Sequence, residues 1–177
     1  MKEIVLYGVI LMIICAIAAG ALAYVYIQTQ KIIAMQKEKE KLQALQEILP
    51  LAKHFDNISN VPEPKDKMVK IIGIYEGKNN NQKVGKVVEL IIRGYSSDIN
   101  LLVGIDTLGK ITKVKIISQQ ETPGLGAEIT KDEFLNQFIG KSSPNMELKK
   151  DIQPVTGATI SSRAVLRAVK EALVIKD

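Results

Sequence analysis

Pro154-Val155-Thr156-Gly157-Ala158-Thr159-Ile160-Ser161-Ser162-Arg163-Ala164-Val165 reads as a loop that runs into a helix. Pro154 keeps Gln153 out of helical space and Gly157 permits a tight turn. The apolar residues Ala164, Val165, Ala168, Val169, Ala172 and Leu173 then fall on one helical stripe, the mark of a buried face. The stripe puts Thr159 at or just before a helix N-terminus. Backbone N–H groups there lack intrahelical partners and the dipole turns its positive end outward, which suits a phosphate, with Arg163 as an added charge. The hydroxyls of Thr159, Ser161 and Ser162 equally suit an ordinary capped helix after a turn. The residues of this stretch alone leave both readings open.

Upstream, segments 69–75, 84–94, 100–105 and 111–118 are rich in Val and Ile and bounded by Gly, Asn or Asp. They predict strands of a twisted, largely antiparallel sheet. Turns are expected at 77–81 and at 106–109, the second as a hairpin connection. A short helix over 131–138, a polar loop with Pro144 and the helix after Thr159 complete an α+β domain over 67–177.

Residues 4–27 carry no charged side chain, and 24 residues at about 1.5 Å each span about 36 Å, enough to cross a bilayer with some tilt. The run is too long for the apolar region of a signal peptide, so a single N-terminal transmembrane helix is expected over 1–30, with Tyr24 and Tyr26 as interfacial anchors. Residues 31–66 read as a helical stalk and linker. Lys37-Glu38-Lys39-Glu40-Lys41 marks a solvated helix, Pro50 its end, and Pro62 and Pro64 a linker over 57–66. Lysines 31, 37, 39, 41 and 53 outnumber glutamates 38, 40 and 47, so the positive-inside rule taken literally puts the C-terminal domain in the cytoplasm. A long C-terminal domain can be translocated whatever its charge, and sequence physics leaves the sidedness open.

The net charge of +5 comes with acidic residues mixed among the lysines and no Trp, which argues against nucleic acid and for attraction to anionic lipid. Cys15 is the only cysteine and lies in the apolar segment, which excludes an internal disulfide and a cysteine-held metal or iron–sulfur site. His54, the only histidine, has no nucleophile motif nearby, and neither catalytic nor metal-binding residues are assigned. Gly140-Lys141-Ser142 fails as a P-loop, because Leu135 stands where the first glycine belongs and a helix precedes it where a strand is required.

Glu121-Thr122-Pro123-Gly124-Leu125-Gly126 follows directly on a predicted strand. Two glycines and a proline in six residues constrain a turn whose backbone can approach a flat ligand closely. Together with Thr156-Gly157-Ala158-Thr159 some thirty residues later, and with Gly94-Tyr95 and Leu102-Val103-Gly104-Ile105-Asp106, this turn resembles the FMN-binding domain family of membrane-bound electron-transport complexes. Within that family the layout resembles the G subunit of Rnf complexes and is similar to the C subunit of sodium-translocating NADH:quinone reductases.

The resemblance implies FMN attached covalently, through a phosphoester, to Thr159 by a dedicated flavin transferase. Thr156, Gly157 and Ala158 would form the turn lying against the flavin, and Glu121, Thr122, Pro123, Gly124, Leu125 and Gly126 would line the isoalloxazine. One departure is Gln153, where family members commonly carry Asp. The resemblance further implies a redox subunit rather than a complete enzyme, working with other integral-membrane and redox subunits in the cytoplasmic membrane, with an extracytoplasmic flavin domain. The alternative readings are a membrane-anchored scaffold or binding module without cofactor, and the C subunit of a sodium-translocating NADH:quinone reductase.

Overall fold

The computed structural model describes residues 2–58, 61–80 and 82–175. Ser59 and Asn60 of the predicted linker and Asn81 of the predicted 77–81 turn lie outside the described residues. The chain divides into two units, Met1–Gln43 and Ala44–Asp177. Helix α1 (Lys2–Ile48) accounts for the first and supplies the opening turns of the second. Its segment Leu6–Gln30 is long and apolar enough to cross a membrane.

The second unit is built on one antiparallel sheet, β1 (His54–Ile58), β2 (Val69–Asn79), β3 (Gln82–Arg93), β4 (Asp98–Asp106) and β5 (Ile111–Ser118), whose spatial order is the chain order. The four strands read from Val and Ile are all present, with ends shifted by a few residues. β3 and β4 are buried along most of their length, because both faces of the sheet are covered. On one face Leu90, Ile92, Leu101 and Val103 meet Ala164, Val165, Ala168 and Val169 of helix α3 (Thr159–Val174). On the other, Val87 and Leu102 meet Ala44, Leu45, Ile48 and Leu49.

Two features depart from the sequence expectation of a stalk and linker over 31–66. Leu45 and Leu49 lie in the core of the globular unit rather than on a solvated stalk, since Ala44, Leu45, Ile48 and Leu49 form a short apolar stripe just after the lysine-rich stretch. Strand β1 occupies the segment before the prolines and is held by its pairing with β2, His54 opposite Lys78 through Ile58 opposite Ile74. Beyond β5 the expected helix is one turn, α2 (Asp132–Leu135), continued by a 3-10 turn, with Phe134 and Phe138 edge to face at 5.5 Å. Gly140 and Lys141 pair with the outer edge of β5 through Gly140 N–H to Ile111 O (2.8 Å) and Ile111 N–H to Lys141 O (2.9 Å), a structural use of the segment that superficially matches a P-loop.

Candidate functional site

Helix α3 begins at Thr159, as its apolar stripe requires, but its hydroxyls do not cap it. The N-cap position is Ala158, which has no side-chain acceptor to offer. Ser162 Oγ accepts the Val155 N–H at 3.0 Å, holding the preceding loop, and Ser161 Oγ donates to Glu121 Oε2 at 2.5 Å. Among the described residues nothing accepts from the N–H groups of Thr159, Ile160 and Ser161, and the Thr159 hydroxyl has no hydrogen-bond partner. This helix end therefore keeps its donors and its positive dipole end open.

The open end faces a cavity of about 420 Å³. It is lined by residues 157–161, by Leu125 and Gly126, and by Tyr95, Glu121 and Thr122. Gly157 has φ +77°, where any side chain is strained, and a Cβ there would lie 2.8 Å from Leu125 Cδ2, at the point where the two motifs touch. At Gly126 a Cβ would meet Glu121 Oε2 at 2.8 Å.

Of the residues singled out in the sequence, Glu121, Thr122, Leu125, Gly126, Gly157, Ala158 and Thr159 are brought together around this cavity. Gly124 and Thr156 line a second cavity of about 400 Å³, and Pro123 lines neither. Gln153 also borders that second cavity, where its N–H donates to Gln137 Oε1 at 2.7 Å. Arg163 is exposed and does not line the first cavity.

Tyr95, Ile160 and Ser161 are additional lining residues. Tyr95 and Ile160 are large side chains left 67% and 52% exposed, and such exposure at a cavity rim is visible only once the chain is folded. Glu121, 4% exposed, is engaged on both oxygens. Burial by itself would push its carboxyl up. The Ser161 hydroxyl and the N–H groups of Ser97, Ser96 and Tyr95 outweigh that and hold it below the ordinary carboxylate range.

Residues 94–174 match the family described as FMN-binding domain, and residues 1–48 match the family described as RnfG N-terminal region. The G subunit of the ion-translocating oxidoreductase complex of Methanosarcina acetivorans is 35% identical, over 97% of this chain and 94% of that protein. This chain belongs to the G-subunit family of ion-translocating oxidoreductase complexes. A second relative of the family, the G subunit of the Na(+)-translocating ferredoxin:NAD(+) oxidoreductase complex of Acetobacterium woodii, is 34% identical over 95% of this chain and 89% of that protein. The crystal structure of Shewanella oneidensis NqrC shares the fold, with a TM-score of 0.50 at 21% identity over 70% of this chain and 66% of that one.

As a G-subunit family member the chain carries an FMN-binding domain. The residues around the larger cavity fit that cofactor: three open N–H groups and a free hydroxyl suit the phosphate, and Tyr95, Leu125 and Ile160 offer surface to a flat ring.

Proposed function

We propose that this chain is an electron-transfer subunit of a membrane-bound ferredoxin:NAD oxidoreductase of the Rnf type, coupled to sodium or proton movement, with FMN esterified through its phosphate to Thr159. The observation that carries the reading is the unpartnered Thr159 hydroxyl at an uncapped helix N-terminus opening on a cavity of about 420 Å³. The bound flavin supplies the redox chemistry, accepting and passing on electrons. The chain's own residues hold and surround it. The first-turn N–H groups of α3 and its dipole offset the charge of the phosphodiester, Gly157 and Gly126 let the two loops close on the cofactor, and Leu125 and Ile160 shield one part of it from water.

Residues 1–30 then serve as a single-pass anchor in the cytoplasmic membrane, the lysine-rich helix that follows as a stalk, and the globular unit from Ala44 onward as the flavin domain on the outer face. A covalent link suits that face, where a dissociated FMN would not readily be replaced. A flavin transferase is the partner during maturation, Thr156, Gly157 and Ala158 forming part of the turn it reads. Integral-membrane subunits of the complex and the lipid itself surround the anchor, whose Ala and Gly residues between 16 and 23 permit close helix approach.

The test is the full chain coexpressed with a flavin transferase, denatured in SDS and viewed for in-gel flavin fluorescence, with intact mass alongside. The expected result is a fluorescent band and a mass increment of FMN minus water, both abolished in Thr159→Ala. A colourless protein from cells with an active transferase overturns the proposal, and colour that leaves on denaturation overturns the covalent link.

A further inference from the structure

Glu121 sits on the wall of the larger cavity, yet it has no free acceptor to give a ligand. Oε1 accepts from the N–H groups of Ser96 (3.0 Å) and Ser97 (2.9 Å), and Oε2 accepts from the N–H of Tyr95 (3.2 Å) and the hydroxyl of Ser161 (2.5 Å). The fit around it is close: a Cβ on Gly94 would lie 2.5 Å from Oε1, and one on Gly126 2.8 Å from Oε2. One carboxylate thus ties three pieces of chain together, the β3–β4 turn, the segment after β5 and the first turn of α3.

The bonding has a directional consequence. An ionised carboxylate accepts and cannot donate, so the Ser161 proton is committed to Glu121. What Ser161 retains is its acceptor lone pairs, and Ser161 lines the cavity. Oε2 also holds the Tyr95 N–H, and Tyr95 and Ser161 both line the cavity where a flat ring would rest.

We propose that Glu121 is a positioning residue for the bound flavin, acting through Ser161, whose hydroxyl it turns so that only an acceptor meets a hydrogen-bond donor of the flavin ring, and through Tyr95, which it holds at the cavity rim. The inference rests on the FMN reading and adds to it: Ser161 becomes the ring's polar contact, and Glu121 acts on the ring without touching it.

The experiment uses the full chain, flavinylated by coexpression with the transferase and purified in detergent, as wild type, Ser161→Ala, Glu121→Gln and the double variant. Three properties are read: the visible absorption of the flavin, its midpoint potential, and amide hydrogen exchange at residues 95–97. Ser161→Ala leaves all three backbone donors of the clamp in place, so the fold is kept while the acceptor is removed; absorption and potential are expected to shift. Glu121→Gln is expected to shift both in the same direction and at least as far, and to speed exchange at 95–97 by about tenfold or more. The double variant should match Glu121→Gln rather than add to it. Unchanged absorption and potential in Ser161→Ala overturns the proposal even if Glu121→Gln does not fold, and additive shifts in the double variant overturn it too. A wild-type chain without flavin overturns the FMN reading itself, which is a distinct outcome from a flavin-bearing Ser161→Ala that behaves like wild type.

Discussion

Two helix ends lie against opposite faces of the same sheet, and they are treated differently. Where α1 ends, the backbone is completed by the protein itself. Thr112 Oγ1 donates to the Ile48 carbonyl at 3.0 Å, Leu49 N–H and Ala52 N–H bond back to Leu45 and Leu49 carbonyls, and Glu47 is held by Lys113 at 2.6 Å and by Lys115. The helix packs so closely on β4 that a Cβ at Gly104 would run into Ile48. Where α3 begins, two of three nearby hydroxyls are drawn away to Glu121 and Val155, and the N–H groups of residues 159–161 are left to a cavity. A buried or half-buried helix end without caps is costly unless something else satisfies it. The contrast teaches that the fold closes its own backbone on the packing side and leaves donors open on the side where a phosphate is proposed to sit.

The comparison can be broken at the level of the two cores. Leu101→Ala on the α3 face and Leu45→Ala on the α1 face are each expected to cost about 2–5 kcal/mol, with Leu45→Ala towards the lower end because its cluster is smaller and can collapse onto the site more easily. Chemical denaturation of the two variants checks the order, and equal or reversed losses would mean that the end of α1 is as much a part of the core as α3.

A smaller effect separates the buried carboxylate from the exposed ones. Glu121 is held below its ordinary value of 4.5, so its contribution to stability is complete above about pH 4.5 and is lost as the pH falls through its lower folded value. Glu47 is lowered as well, by its bonds to Lys113 and Lys115, but at the surface, where salt screens it. Thermal melts from pH 7 to pH 3 in high salt should therefore show a decline for the wild-type chain that is flatter in Glu121→Gln. Parallel curves would show that Glu121 is not held low in the folded chain. The smallest effect tests the finished helix end: Thr112→Val keeps the shape, removes the bond to the Ile48 carbonyl and should cost about 1 kcal/mol, read as a lower denaturation midpoint with flavin content unchanged.

Local patterns were legible before any folding was considered. The Ala and Val stripe from Ala164 to Ala172 places Thr159 at a helix start, Val- and Ile-rich segments mark four of the five strands, and the uncharged N-terminal run marks a helix long enough to span a membrane. These are properties of neighbours in the chain, and their periods of 3.6 and 2 residues survive in a one-dimensional reading. Strand β1 was not legible, because His-Phe-Asp-Asn-Ile has no apolar alternation and depends on its pairing with β2.

The site divides in the same way. The Glu121–Gly126 and Thr156–Thr159 motifs show in the sequence, but that Thr156 and Gly124 open on a second cavity while Thr159 opens on the first depends on how the two loops meet in the folded chain. Glu121, read from the sequence as a residue available to a ligand, is occupied by partners 24 to 40 positions away. The sequence by itself determined where the helices and most of the strands lie and which hydroxyl begins α3. Only the tertiary structure decided which donors remain unpaired there, since hydrogen bonds between distant segments depend on distances that exist only in the folded chain.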